Sequence, residues 1–145
     1  MIHRVILAGV LVAAGGAWLA VADDGAPGKS GGVLPAFEPV MSTHSLMEEQ
    51  SRHFDNMLDL IRDAKARKRF ERLEHEARAL AEMANINGYH QRSHEHDDYR
   101  EWAAQLKAQA IQFADLAKKQ NVDDAKKLAG QMNKTCKACH DKYAD

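Results

Sequence analysis

The sequence predicts an all-α protein, an antiparallel up-down-up-down four-helix bundle, on three observations. After residue 36, apolar residues recur at three- and four-residue spacing in four successive stretches. No segment there alternates with the period of a strand. The chain has only 3 Pro and 6% aromatic residues, with abundant Ala, Leu, Lys, Glu and Gln, a composition that favours helices over a β-sandwich. A length of 145 residues suits one domain and is short for a two-domain enzyme. With 20 Lys+Arg against 21 Asp+Glu the net charge is −1, which provides no broad electrostatic footprint for nucleic acid. Two cysteines are too few for a disulfide scaffold.

The N-terminal part stands outside this pattern. Met1 to Arg4 carries one Arg, and Val5 to Ala22 runs without charge. Ala20-Val21-Ala22 has the small-x-small form of a leader-peptidase site and is followed by Asp23-Asp24. A basic start, an apolar core and a cleavage site in that order read as a signal peptide over residues 1–22, and hence as export to the periplasm. An uncleaved anchor is the competing reading, since a run of this length can just span a bilayer. Gly9, Gly15, Gly16 and the A-x-A end favour cleavage, and no Cys stands at the cleavage point to take a lipid. Residues 23–41 form a flexible linker, rich in Gly and Pro as far as Ala36. The bundle then occupies residues 42–145.

The first helix is expected to begin at the capping-box pattern Ser45-x-x-Glu48, a few residues after Pro39. Met47, Gln50, Phe54, Met57, Leu58 and Ile61 make one face of it. Phe70, Leu73, Ala77, Leu80 and Ala84 make the face of the second, with the break between the two near Asp63 to Arg67 and a left-handed cap at Asn87-Gly88. A polar loop spans Asn87 to Asp98. Ser93 or Asp97 can cap the third helix, whose face is Trp102, Leu106, Ala110, Phe113, Leu116 and Ala117. Asn121 caps the fourth, and Asp123 and Asp124 lie in its first turn, where the helix dipole favours negative charge. Its face is Ala125, Leu128, Ala129, Met132, Cys136, Cys139 and Tyr143. Many small residues on these faces either let helices pack closely or leave room for a flat guest.

The fourth helix carries Cys136-Lys137-Ala138-Cys139-His140, the C-x-x-C-H signature of haem c attachment. Positions i, i+3 and i+4 share a helix face, so two thiols and an imidazole point the same way. Two thiols reach the two vinyl groups of one porphyrin, and the imidazole reaches its iron from one side. Chance produces the motif on the order of once per thousand chains of this size at average composition. A structural disulfide is the first alternative, but a C-x-x-C bridge inside a continuous helix has poor geometry. A thioredoxin-like pair wants its nucleophile at a helix N-terminus, and this pair sits in the last turns. A zinc site needs more ligands than two Cys and one His, and the other histidines are not spaced to supply them.

A C-terminal C-K-A-C-H on the last helix of a four-helix bundle resembles the class II c-type cytochromes, the cytochrome c prime family. The likeness is strongest over Asp123 to Tyr143, including Gln131 to Cys136, and looser over the first helix, through Met47 and His53-Phe54. The resemblance implies an antiparallel four-helix bundle, often a homodimer, with one haem c held by Cys136 and Cys139 and with His140 as the proximal iron ligand. It places the distal side on the first helix, at Met47. Family members with a non-ligating residue there are five-coordinate and bind NO or CO; those with a ligating Met are low-spin electron carriers. Met opposite His raises the reduction potential. Met47 as a plain core filler remains the alternative. His44 on the same face is a further candidate ligand, while Met41 lies before the helix and Met57 two to three turns along it. Many members carry an Arg one turn before the distal residue, near a haem propionate; here that position is Thr43, so the resemblance names no propionate partner.

The remaining features are weaker. His90, His94 and His96 share a polar loop with Glu95, Asp97 and Asp98, which reads as solvated before it reads as a surface metal site. Lys134, Lys137 and Lys142 suit a helix C-terminus and also a small docking patch for an acidic redox partner protein. Arg67-Lys68-Arg69 reads as a solvated turn. No nucleophile–base pair or paired carboxylates stand out, so an enzyme is not expected. The leading expectation is a periplasmic electron-transfer cytochrome; a haem-based binder of NO or CO and a haem-free helical bundle are the competitors.

Overall fold

A computed structural model describes residues 37–144, so the leader at 1–22 and most of the linker at 23–41 lie outside the described residues. Among the described residues the regular elements are all helices: α1 Thr43–Arg62, α2 Arg69–Asn87, a one-turn α3 Gln91–Glu95, α4 Asp97–Lys118 and α5 Val122–Tyr143. None is long and apolar enough to cross a membrane. Side-chain pairs fix the helix directions. Gln50 reaches Met83, His53 reaches Glu76, and Arg69 reaches Leu60, so α1 and α2 run antiparallel. Tyr99 with Asn87 and Lys107 with Asn85 do the same for α4 and α2, as Asp98 with Tyr143 and Gln109 with Thr135 do for α4 and α5. The expected up-down-up-down bundle is therefore observed.

The helix ends show where sequence and structure differ. α1 starts three residues before the expected capping box. Ser42, extended at φ −66° and ψ 154°, is the N-cap, and its hydroxyl accepts from the Ser45 amide at 3.1 Å. Ser45 thus stands inside the first turn rather than ahead of it. The break between α1 and α2 falls at 63–68, as expected. Lys68 there adopts φ 53°, the left-handed region, with no side-chain cap. Arg69 is not a solvated turn residue: its guanidinium donates to the Leu60 carbonyl at 2.7 Å and the Ile61 carbonyl at 2.5 Å. It satisfies the last carbonyls of α1, which the helix itself leaves without donors.

The Asn87-Gly88 cap is also different. Gly88 is right-handed at φ −66° and ψ −9°. The chain turns instead through Ser93, 1% exposed, whose hydroxyl lies 2.6 Å from the carbonyls of both Gly88 and His90. This folds part of the expected loop into α3. Neither Ser93 nor Asp97 caps α4; His96 holds that position, and Asp97 and Asp98 occupy the first turn. At α5, Asn121 caps as expected, accepting from the Asp124 amide at 3.3 Å.

The buried interior comprises Met57, Leu73, Leu80, Phe113 and Met132 with a dense set of alanines. α2 and α4 share the most extensive interface, followed by α1 with α2 and α4 with α5. Ala77, Ala81 and Ala84 of α2 and Ala103, Ala110, Ala114 and Ala117 of α4 are all buried. Small side chains let two backbones approach closely, which accounts for the tight α2–α4 pair. α1 and α5 scarcely touch. The bundle is therefore closed on one side and parted along the α1–α5 seam.

Candidate functional site

The parted seam holds a cavity of about 480 Å³. That is within the usual range for small-molecule and cofactor sites, about 300–1,000 Å³. One wall comes from α1 and α2. α1 carries two stripes, where the periodicity suggested a single face. Leu46, Met57, Leu60 and Ile61 are buried in the interior. Met47, Phe54 and Leu58, at i, i+7 and i+11, are half-buried and line the cavity. Gln50 is buried and lines it as well, with its amide nitrogen 3.5 Å from the Met83 carbonyl. Leu80 and Asn87 complete this wall from α2, and Trp102, Ala103 and Leu106 come from α4.

The opposite wall is α5. Cys136, Cys139 and His140 all line the cavity, so the three motif residues share one face as their spacing predicts. Cys139 is 9% exposed, Cys136 is half-buried, and both are free thiols. Burial pushes both thiols up, and the neighbouring Cys136 and Asp98 add to the rise at Cys139, which reaches about 11. A redox dithiol needs the opposite, a thiolate stabilised near neutral pH. The thioredoxin-like alternative therefore has no electrostatic support here. His140 is exposed and stands on the cavity lining next to Asp141.

Met47 is the α1 sulfur that shares this cavity with the motif. Met57 is fully buried in the interior, and Met41 precedes the helix. His44, on the same sequence face as Met47, points away: its side chain is 84% exposed and its Nε2 lies 3.4 Å from Glu48. Trp102 borders the cavity, whereas Phe113 is a core residue at 0% exposure. Thr43 contacts the ring of His90 at 3.4 Å. Among the described residues no group of three or more His, Cys, Asp and Glu that could hold a metal ion is found.

The α5 end is pinned beside the motif. Asp98 accepts from the Tyr143 hydroxyl at 2.6 Å, from Lys142 and from the Tyr99 amide. Those hydrogen bonds, Lys142 first and Tyr143 next, hold its carboxyl at about 2, well below the usual range. Arg92 of α3 donates to the Tyr143 carbonyl at 2.5 Å. Lys137 pairs with Asp141 at 2.8 Å. Two of the three lysines expected to offer a basic patch thus carry an acidic neighbour, and Lys134 borders a shallower groove behind Trp102.

The donor set suits a flat apolar macrocycle with a central metal. Two thiols and an imidazole lie along one wall, a thioether stands on the α1 wall, and Phe54, Leu58, Leu80 and Leu106 supply apolar surface. Sequence reasoning missed Leu80, Asn87 and Gln50 as cavity residues. A polar residue on an otherwise apolar helix face was the available signal for Gln50; Asn87 carried none, because an Asn-Gly pair reads first as a helix stop.

Residues 90–144 match the family model described as cytochrome C'. The match spans α3, α4 and α5, and so includes the whole motif, while α1, α2 and Met47 lie outside it. No curated protein and no solved structure matches the chain. Over those residues, which form α3, α4 and α5 and carry the motif, the chain is similar to the cytochrome c prime family.

Proposed function

We propose that this protein is a periplasmic cytochrome that carries single electrons on one covalently bound haem c and delivers them to a redox partner protein. One observation carries this reading: a single cavity brings Cys136, Cys139 and His140 of α5 together with Met47 of α1. Cys136 and Cys139 would each add across one vinyl group, sulfur to one carbon and proton to the next, so the linkage needs no oxidant and expels no leaving group. His140 would hold the iron from the α5 side and Met47 from the α1 side. The haem supplies a one-electron couple. Phe54, Leu58, Leu80 and Leu106 would exclude water from it, and the thioether of Met47 with the imidazole of His140 would favour the reduced metal. Export is supported by the uncharged run Val5 to Ala22 and its A-x-A end.

A second reading is a binder of NO or CO. It is favoured by the apolar wall around Met47 and by the weak contact of α1 with α5, which leaves the α1 wall free to yield to a small ligand. Optical spectra of the matured protein separate the two. A low-spin reduced spectrum that CO leaves unchanged supports the electron carrier. A high-spin spectrum that responds to CO supports the gas binder. Met47→Ala should turn the low-spin form high-spin; a spectrum that stays low-spin removes Met47 from the iron. If secreted protein from a haem-c-maturing host has no added cofactor mass, both readings fail.

A further inference from the structure

We infer that Asn87 is a fixed hydrogen-bond donor built into the cavity wall, set by Tyr99 to hold an oxygen acceptor of whatever fills the cavity. The inference rests on the haem reading above. Asn87 is the last residue of α2, is 4% exposed, and borders the cavity on a wall that is otherwise mostly Met47, Phe54, Leu58 and Leu80. Its Oδ1 accepts from the hydroxyl of Tyr99, 1% exposed, at 2.7 Å. Tyr99 cannot serve both ends of the amide. Its own proton needs an acceptor, which fixes Oδ1 toward α4 and leaves Nδ2 with its two hydrogens on the other side. Among the described residues Nδ2 has no protein partner, yet it is not sealed in the interior, where the described orphan is the Nε2 of His90. Nδ2 is therefore reached from outside the packed interior, on a residue that lines the cavity.

Once an occupant fills the cavity and excludes water, an amide donor left without an acceptor is costly, and polar groups so buried are nearly always paired. An Asn in this place, anchored by a buried Tyr, is explained if the occupant brings the acceptor. Burial also keeps the Tyr99 phenol protonated, raising it above its ordinary value, so it remains a donor and the amide keeps its orientation. By contrast Gln50 spends its own amide nitrogen on the Met83 carbonyl. Two oxygen acceptors can enter: a carboxylate of the porphyrin, or the oxygen of a small ligand on the α1 side of the iron.

The test uses matured full-length protein, Asn87→Leu and Tyr99→Phe. If the acceptor is a porphyrin carboxylate, loss of the donor weakens its charged form. The pH at which the midpoint potential bends then moves up by about half to one pH unit in Asn87→Leu. If the acceptor is a small ligand, the readout is the C–O stretch of the reduced CO complex in a Met47→Ala background, which moves to higher frequency when Asn87→Leu is added. Tyr99→Phe keeps the ring and frees the amide, so it shifts the same observable in the same direction by less. It also carries the test alone if Asn87→Leu fails to mature. Haem bound with neither observable moved overturns the role of Asn87 and leaves the cytochrome intact. No haem in the matured wild-type protein overturns the cytochrome itself.

Discussion

Along α2 and α4 the buried positions are mostly alanines and leucines, with Phe113 and Tyr99 from α4, and the two helices share the most extensive interface. Along α1 and α5 the corresponding positions are Met47, Phe54 and Leu58 on one side and Cys136, Cys139 and His140 on the other, with a cavity between them. The same periodic pattern thus produces two kinds of interface. Where the side chains are small and complementary, the helices supply their own packing. Where they are large, sulfur-bearing or polar, the helices stand apart and leave a cavity between their stripes. On this view α2 and α4 are the scaffold, and α1 and α5 are the jaws it carries.

The largest test of that division removes the link to the occupant. Replacing both Cys136 and Cys139 by Ser should abolish covalent haem altogether, read as loss of the cofactor mass. The comparison sharpens if hydrogen exchange then speeds along Met47 to Leu58 while α2 and α4 stay protected. Equal loss of protection in all four helices would break it. Phe113→Ala strikes the other region. Phe113 is fully buried in α4, and its removal should cost about 3–5 kcal/mol in chemical denaturation, with the two cysteines still able to carry haem at low temperature.

Much of this division was legible in the residues. The four helical stripes, the break at 63–68, the Asn121 cap and the motif face could be read from period and spacing alone. The two-stripe nature of α1 could not, because Leu46 and Met47 are neighbours in sequence and periodicity does not say which of them faces the interior. Leu46 is fully buried and Met47 lines the cavity. The cap at Ser42 was hidden by a second serine three residues later, which offered the better-known pattern. Asn87 and Tyr99 were invisible because their meaning lies in a hydrogen bond between two helices. Long-range pairing of polar groups leaves no local signature.

A smaller effect should come from the cap of the jaw itself. Asn121→Ala removes the acceptor of the Asp124 amide and should lower stability by about 1 kcal/mol, measured by urea denaturation. The motif lies four turns away at the far end of α5, so the haem spectrum should not change. A spectral change would mean that the whole of α5, rather than its last turns, sets the iron environment.

The smallest expected effect is a pH dependence at the other end of α5. Asp98 is held at about 2 in the folded chain by Lys142, Tyr143 and the Tyr99 amide, against about 3.9 for a free aspartate. A carboxyl depressed by folding stabilises the folded state above its unfolded value, and that contribution is lost as pH falls through the folded value. Wild-type protein should therefore lose thermal stability between about pH 4 and pH 2 on this account, and Asp98→Asn should show a flatter acid limb over the same window. Glu76 also titrates low. Burial alone would raise it, but hydrogen bonds from His53, at 2.7 Å, and Asn56 outweigh that effect. Because Glu76 braces α1 against α2, Glu76→Gln tests the α1 jaw where Asp98→Asn tests the α5 jaw. If the acid limb of Asp98→Asn matches the wild type while that of Glu76→Gln flattens, the acid-sensitive tie belongs to α1, and the last turns of α5 are held by the aromatic contacts of Tyr143 with Tyr99 and Trp102 instead.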